Sequence, residues 1–275
     1  MDALDTIVVP LDGSDAALRA VPVARAIAQR CGAGVLLMTS RARGGGASDA
    51  DLDLAQDRLH DLPIDRIVLD DVGPGEAAID LALAAPGRLL CMSTHGRGGL
   101  RRAALGSVAD NVIRSGLVDV LVVGPACDLG AALDARGPLL LCVDGSDRSM
   151  SVVEAGRTWA ALLARDLQLV TATNPFDAAT PAELDARFSE LSRPLASAGL
   201  RSGGVWIVNS SITAGLTDEA KRLGSPLMVV APGSRSTWER LLVGSATLSI
   251  LASAPCPVLV VAEGPKPPRS VEGVS

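Results

Sequence analysis

At 275 residues, of which 48% are apolar and 20% charged, the chain is long enough for two ordinary domains, each able to bury a core. Its net charge of −6 repels nucleic acid and offers no steering toward an anionic membrane, and no apolar run approaches the roughly 20 residues that span a bilayer. Aromatic residues are only 2%, with no tyrosine, so the core must be aliphatic, and an N-terminus without a basic region points to the cytoplasm.

The first half alternates apolar runs with helical patterns. Strands are expected over 6–11, 34–39, 65–70, 88–93 and 119–123, and helices over about 15–31, 48–61, 74–85 and 107–115. The second half reads likewise, with strands over 138–143, 166–172, 204–208, 226–231 and 257–261, and helices over about 147–164, 180–198, 213–223 and 245–253. Repeated β–α–β order implies a parallel sheet with helices on both faces, joined by right-handed crossovers. The expected fold is therefore α/β, two doubly wound domains of flavodoxin-like or Rossmann-like type with five parallel strands each.

The halves are copies. Asp12-Gly13-Ser14-Asp15 returns as Asp144-Gly145-Ser146-Asp147, offset by 132 positions, while Gly106-Ser107 and Val120-Leu121-Val122-Val123 return at 244–245 and 258–261, offset by 138. The first domain is expected over 1–126 and the second over 138–263. Residues 127–137 read as a linker, and 264–275, rich in proline, as a disordered tail. The last strand of each half would be a long apolar edge, and pairing the two edges within one chain covers both. Such a pseudo-two-fold chain can stand alone or form a homodimer.

In this fold class ligands lie beyond the carboxyl ends of the strands, where strand order reverses. Asp12, Thr39 and the glycine-rich stretch from Ser93 to Gly99 all fall just after strands there. Backbone N–H groups at Gly96 and Gly98, close approach at Gly106 and a Ser107 hydroxyl acting as helix cap and donor would suit a phosphate. An ordinary strand-to-helix loop with a serine cap would look the same. Asp12 can receive hydrogen bonds from an adenine or ribose, or can cap the helix after it. Arg97, Arg101 and Arg102 beside the loop could meet phosphates or simply face solvent, as could Arg235 and Arg240 in the second copy.

Other chemistries fit less well. No Walker lysine follows any glycine pair, and the glycine motif follows the fourth strand rather than the first, unlike a dinucleotide fingerprint. A haloacid dehalogenase-like phosphatase needs a nucleophilic Asp where Pro10 and Cys142 stand. No Gly-x-Ser-x-Gly elbow accompanies His95, and the five cysteines form no metal spacing with His60 or His95.

Ser93-Thr94-His95-Gly96, nine residues, then Gly106-Ser107, together with Val8-Val9-Pro10-Leu11-Asp12-Gly13-Ser14 and the closing Val-Leu-Val-Val strand, resembles the universal stress protein family in a tandem two-domain form. The family pattern has glycine where Ser93 stands. The resemblance implies bound ATP, with or without Mg²⁺. Asp12 would contact the adenosine, Thr39 would offer backbone groups to the base, and Gly96, Gly98, Gly106 and Ser107 would hold ribose and phosphates, with Pro10, Arg97 and Val108 beside them. The second half keeps Asp144, Thr171, Gly233, Gly244 and Ser245, but Ala231 and Ser234 replace both early glycines, so nucleotide is expected mainly in the first half. The resemblance thus implies a non-enzymatic, ATP-binding stress-response regulator read by other proteins. The alternative is a stress protein that binds no nucleotide and works through its surface.

Overall fold

The computed structural model describes residues 4–41, 45–94, 105–144, 146, 148–173, 180–232 and 245–262. The first half contributes strands β1 (Thr6–Pro10), β2 (Gly34–Ser40), β3 (Ile64–Leu69), β4 (Arg88–Ser93) and β5 (Val120–Val123). Between them run helices α1 (Ala20–Cys31), α2 (Asp49–Asp57), α3 (Pro74–Leu83) and α4 (Ser107–Ser115). After α5 (Leu129–Asp134), the second half contributes β6 (Leu139–Cys142), β7 (Leu167–Thr173), β8 (Ser202–Val208), β9 (Met228–Val230) and β10 (Val258–Val260). Its helices are α6 (Arg148–Leu163), α7 (Pro181–Ser197), α8 (Ile212–Leu223) and α9 (Ser245–Ser253).

Local chemistry sets the helix ends. Ser48 and Thr180 close capping boxes with Asp51 and Glu183, satisfying the first amides of α2 and α7. Gly32, Gly116 and Gly224 take left-handed conformations that stop α1, α4 and α8. Helix α5 occupies the segment expected as a linker; Asp128 caps it by accepting the Ala131 N–H at 3.1 Å.

All ten strands form one sheet in the order β3-β2-β1-β4-β5-β10-β9-β6-β7-β8. Every pairing is parallel except β5 with β10, where Val122 faces Val258, Leu121 faces Leu259 and Val120 faces Val260. The edge pairing expected from the sequence is therefore present, and the two copies are fused through it. Val120–Val123 and Val258–Val260 are buried, as is Trp159, the largest fully buried side chain among the described residues. At roughly 25 cal/mol per Å² of apolar area removed from water, these aliphatic strand faces are the main stabilising layer. Among the described residues no helix is long and apolar enough to cross a membrane.

Close approach between the halves depends on Gly124, just past β5. A Cβ there would lie 2.0 Å from the carbonyl oxygen of Leu251 in α9. Nearby, Arg19 reaches back to donate to the Cys127 carbonyl at 2.6 Å, fixing the chain as it leaves β5.

Candidate nucleotide crevices

The strand order reverses at β1 and β4, the neighbours from which the first half winds outward in opposite directions. Their pairing ends at Val8 opposite Leu90, whereas β1 continues beside β2 to Pro10 opposite Met38 and β4 continues beside β5 to Ser93 opposite Val123. The sheet thus splits at its carboxyl end. Pro10 contributes to the split: the Leu11 N–H goes to Met38 on the β2 side at 2.8 Å, so alternation turns the preceding backbone position toward β4, and proline has no N–H to give there.

Asp12 stands at the mouth of this slot. Its Oδ1 accepts the Ser14 N–H at 3.0 Å and the Ser14 hydroxyl at 2.6 Å, while Ser14 Oγ accepts the Ala17 N–H at 3.1 Å. Gly13, at φ +81°, makes the turn possible. In these bonds Asp12 holds Ser14, and Ser14 is the residue that accepts the Ala17 N–H of the turn leading into α1; the helix itself starts without a side-chain cap. Across the slot, Thr94 donates its N–H to Val123 at 3.1 Å and accepts the Gly106 N–H at 2.7 Å, so the chain leaves and rejoins the sheet at one point.

One expectation needs correction. Ser107 is the first helical residue of α4, and the cap is Gly106, extended at φ −61°, ψ 150°, with no side chain bonded to the first turn. Ser107 is exposed and Val108 half-buried at that turn. Residue 107 has already adopted helical geometry, which carries its hydroxyl away from the capping position. The first-turn amides of α4 consequently lack an intrahelical acceptor, as at any helix start. Gly96, Arg97 and Gly98, with His95, Arg101 and Arg102, lie outside the described residues.

Thr39, fully buried near the end of β2, accepts the Ala47 N–H on Oγ1 at 2.7 Å. Gly46 permits this return with φ +94°; a Cβ there would meet the Ser40 carbonyl oxygen at 2.5 Å. Neither Gly46 nor Ala47 stood out in the sequence. Their signal was only a glycine run after a strand.

The second half repeats the frame and changes its lining. Asp144 Oδ1 accepts the Ser146 N–H at 3.0 Å and the Ser146 hydroxyl at 2.6 Å, the same distances as in the first copy, and adds the Ser149 hydroxyl at 3.2 Å. Burial alone would raise the Asp144 carboxyl, but the hydrogen bonds from Ser146 and Ser149 outweigh it and leave the pKa below the usual carboxylate value. Thr171 turns its hydroxyl onto the Val143 carbonyl at 2.8 Å. Arg148, the first residue of α6, donates through a guanidinium nitrogen to the Pro232 carbonyl oxygen beyond β9. Ser245 begins α9, and Gly233, Gly244, Arg235 and Arg240 lie outside the described residues.

Among the described residues no group of His, Cys, Asp and Glu side chains is arranged to hold a metal. The cysteines there are free: Cys91, Cys127 and Cys256 are buried, Cys31 and Cys142 partly so.

A sheet split at its switch point, faced by a carboxylate and a helix start, defines a doubly wound α/β protein with a crevice at the carboxyl ends of its strands. The universal stress protein family model matches residues 3–124 and again 136–262, so the chain belongs to that family, in tandem form. A universal stress protein from Archaeoglobus fulgidus aligns with a TM-score of 0.67 at 14% identity, covering 94% of this chain and 97% of that one. A putative universal stress protein from Pseudomonas aeruginosa aligns at 0.63 with 18% identity, covering 94% and 93%. A universal stress protein solved in complex with cAMP is 29% identical over 44% of this chain and 98% of its own, with a TM-score of 0.38. No curated protein matches the sequence.

Proposed function

We propose that the first half binds an adenine nucleotide, ATP with or without Mg²⁺, in the slot between β1 and β4, and that the occupied protein is a regulator read by other proteins rather than a catalyst. The observation that carries this reading is the divergence of β1 from β4 beyond Val8 and Leu90. It opens backbone to a ligand between Asp12 on one side and the Thr94–Gly106 junction on the other. Asp12 would accept from ribose or adenine, Thr39 would offer backbone groups to the base, and the first-turn amides of α4 at Ser107 and Val108 would favour a phosphate, since a helix N-terminus carries about half a positive charge. Gly96, Arg97 and Gly98 belong to the same proposed site by sequence, with Asp144, Thr171, Gly233, Gly244 and Ser245 as its counterparts in the second half.

A second reading, a stress protein acting through its surface without nucleotide, is favoured by one observation. Asp12 and Asp144 make the same two bonds to Ser14 and Ser146, so both carboxylates have a local structural task apart from any ligand.

The two readings separate on equilibrium dialysis with labelled ATP and Mg²⁺. Binding by the native chain, abolished in a folded Gly106→Glu variant, is the expected outcome. Absence of adenine nucleotide both from the purified protein and after dialysis would favour the surface reading.

A further inference from the structure

Among the described residues, the carbonyl at the mouth of each crevice takes a donor of a different kind. In the first half the Thr94 oxygen, just past β4, accepts the Gly106 N–H of the returning chain. The repeat places Pro232 at the same point past β9, and its oxygen is taken by the side chain of Arg148, 84 positions away in sequence. The first-half counterpart of Arg148 is Ala16, whose methyl has no reach and no charge.

The location of Arg148 matters as much as its bond. It opens α6, the end of a helix where the dipole favours an anion and opposes a cation. Half-buried there, it reaches from the start of α6, after β6, to the carbonyl just past β9, so its side chain spans the mouth of the slot between these two neighbouring strands. Its neighbours complete the closure. Asp144 Oδ1 is occupied by Ser146 and Ser149, and the Thr171 hydroxyl is spent on Val143, whereas Thr39 in the first half accepts from a backbone amide.

We propose that Arg148 is an internal occupant of the second crevice, bridging β9 to α6 across the switch point, and that it makes the chain a one-nucleotide protein by excluding nucleotide from its second half. This rests on the reading that the first crevice takes adenine nucleotide. Arg148 thus adds to the Ala231 and Ser234 replacements a side chain that closes the second frame.

Equilibrium dialysis of the full chain with labelled ATP and Mg²⁺ tests the proposal through the difference between wild type and R148A. Wild type should saturate at one equivalent per chain and R148A at two, a twofold rise. In a G106E background the same substitution should raise binding from none to one equivalent. R148A removes a cation from a helix start, so thermal melting should show it folded within a few degrees of wild type. Two equivalents already bound by wild type, or no gain in a folded R148A, would overturn the inference. Unchanged binding in G106E would instead sink the first-half assignment, and the R148A difference would still decide the role of Arg148.

Discussion

The carboxylate of Asp119 accepts a hydrogen bond from the backbone N–H of Ala262 at 2.7 Å, across 143 positions of sequence. Asp119 immediately precedes β5 and Ala262 closely follows β10, so this bond staples one end of the antiparallel junction. Burial pushes the Asp119 carboxyl above its ordinary value, and the Ala262 amide offsets that only in part. A carboxyl with a raised pKa favours the folded state most below its unfolded pKa, about 3.9, and loses that contribution as pH rises through the folded value. Asp119→Asn keeps an oxygen acceptor without the buried charge. It should melt no lower than wild type at pH 7, and its melting point relative to wild type should fall as pH drops toward 4, as measured by thermal denaturation across that range.

Gly124→Ala places a methyl against Leu251, where the unrelaxed distance to the carbonyl oxygen is 2.0 Å. Backbone cannot swing aside as a long side chain does. The expected loss is about 1–3 kcal/mol or somewhat more, the range for overpacked sites. Urea unfolding should register it, and a neutral result would mean that α9 can shift at little cost.

Asp12→Ala separates local from ligand energetics. Without ATP it should destabilise the first half by about 0.5–1.5 kcal/mol, the usual net worth of an intramolecular hydrogen bond, here those to Ser14. With saturating ATP the gap from wild type should widen, because bound ligand stabilises the folded state by mass action. Thermal shifts with and without nucleotide measure both components.

Thiol reactivity should follow burial. Cys91 and Cys142 are pushed up to about 12 and Cys127 to about 11 by desolvation, and Cys256 rises for the same reason. Since the thiolate is the nucleophile, native protein at pH 8 should react with a thiol reagent mainly at the partly exposed Cys31, and slowly, its own thiol being raised by burial. All five cysteines should react together once the chain is unfolded in denaturant.

Most of the architecture was legible because strands and helices alternate and their ends carry recognisable residues. The helices expected at 107–115 and 245–253 coincide with α4 and α9, and every strand was placed to within about two residues. The junction of β5 with β10 followed from two apolar edges that needed cover. Helix α5 escaped notice because six residues are too short for a helical stripe. In α2 the expected helix ran to 61, but it stops at Asp57; beyond it His60 Nδ1 lies 2.9 Å from the Asp57 carbonyl oxygen.

The crevices were less legible. Asp12, Pro10 and Thr39 could be named from the sequence, but the point where β1 leaves β4 is a matter of strand register that no motif encodes. Ser107 resembled a cap because serine commonly is one; only backbone angles assign that place to Gly106. Arg148 carried a visible sign, since it replaces Ala16 in the repeat, but its partner is a carbonyl brought near by folding alone.

The antiparallel seam also bears on how such a chain can change. A pair of separate identical subunits would share one gene, so any substitution in one pocket would appear in the other. Here a covalent tether supplies the second half at an effective concentration that short linkers bring to about the millimolar range, and the seam holds however its two pockets differ. Either copy can thereby change its pocket without loosening the seam that holds both.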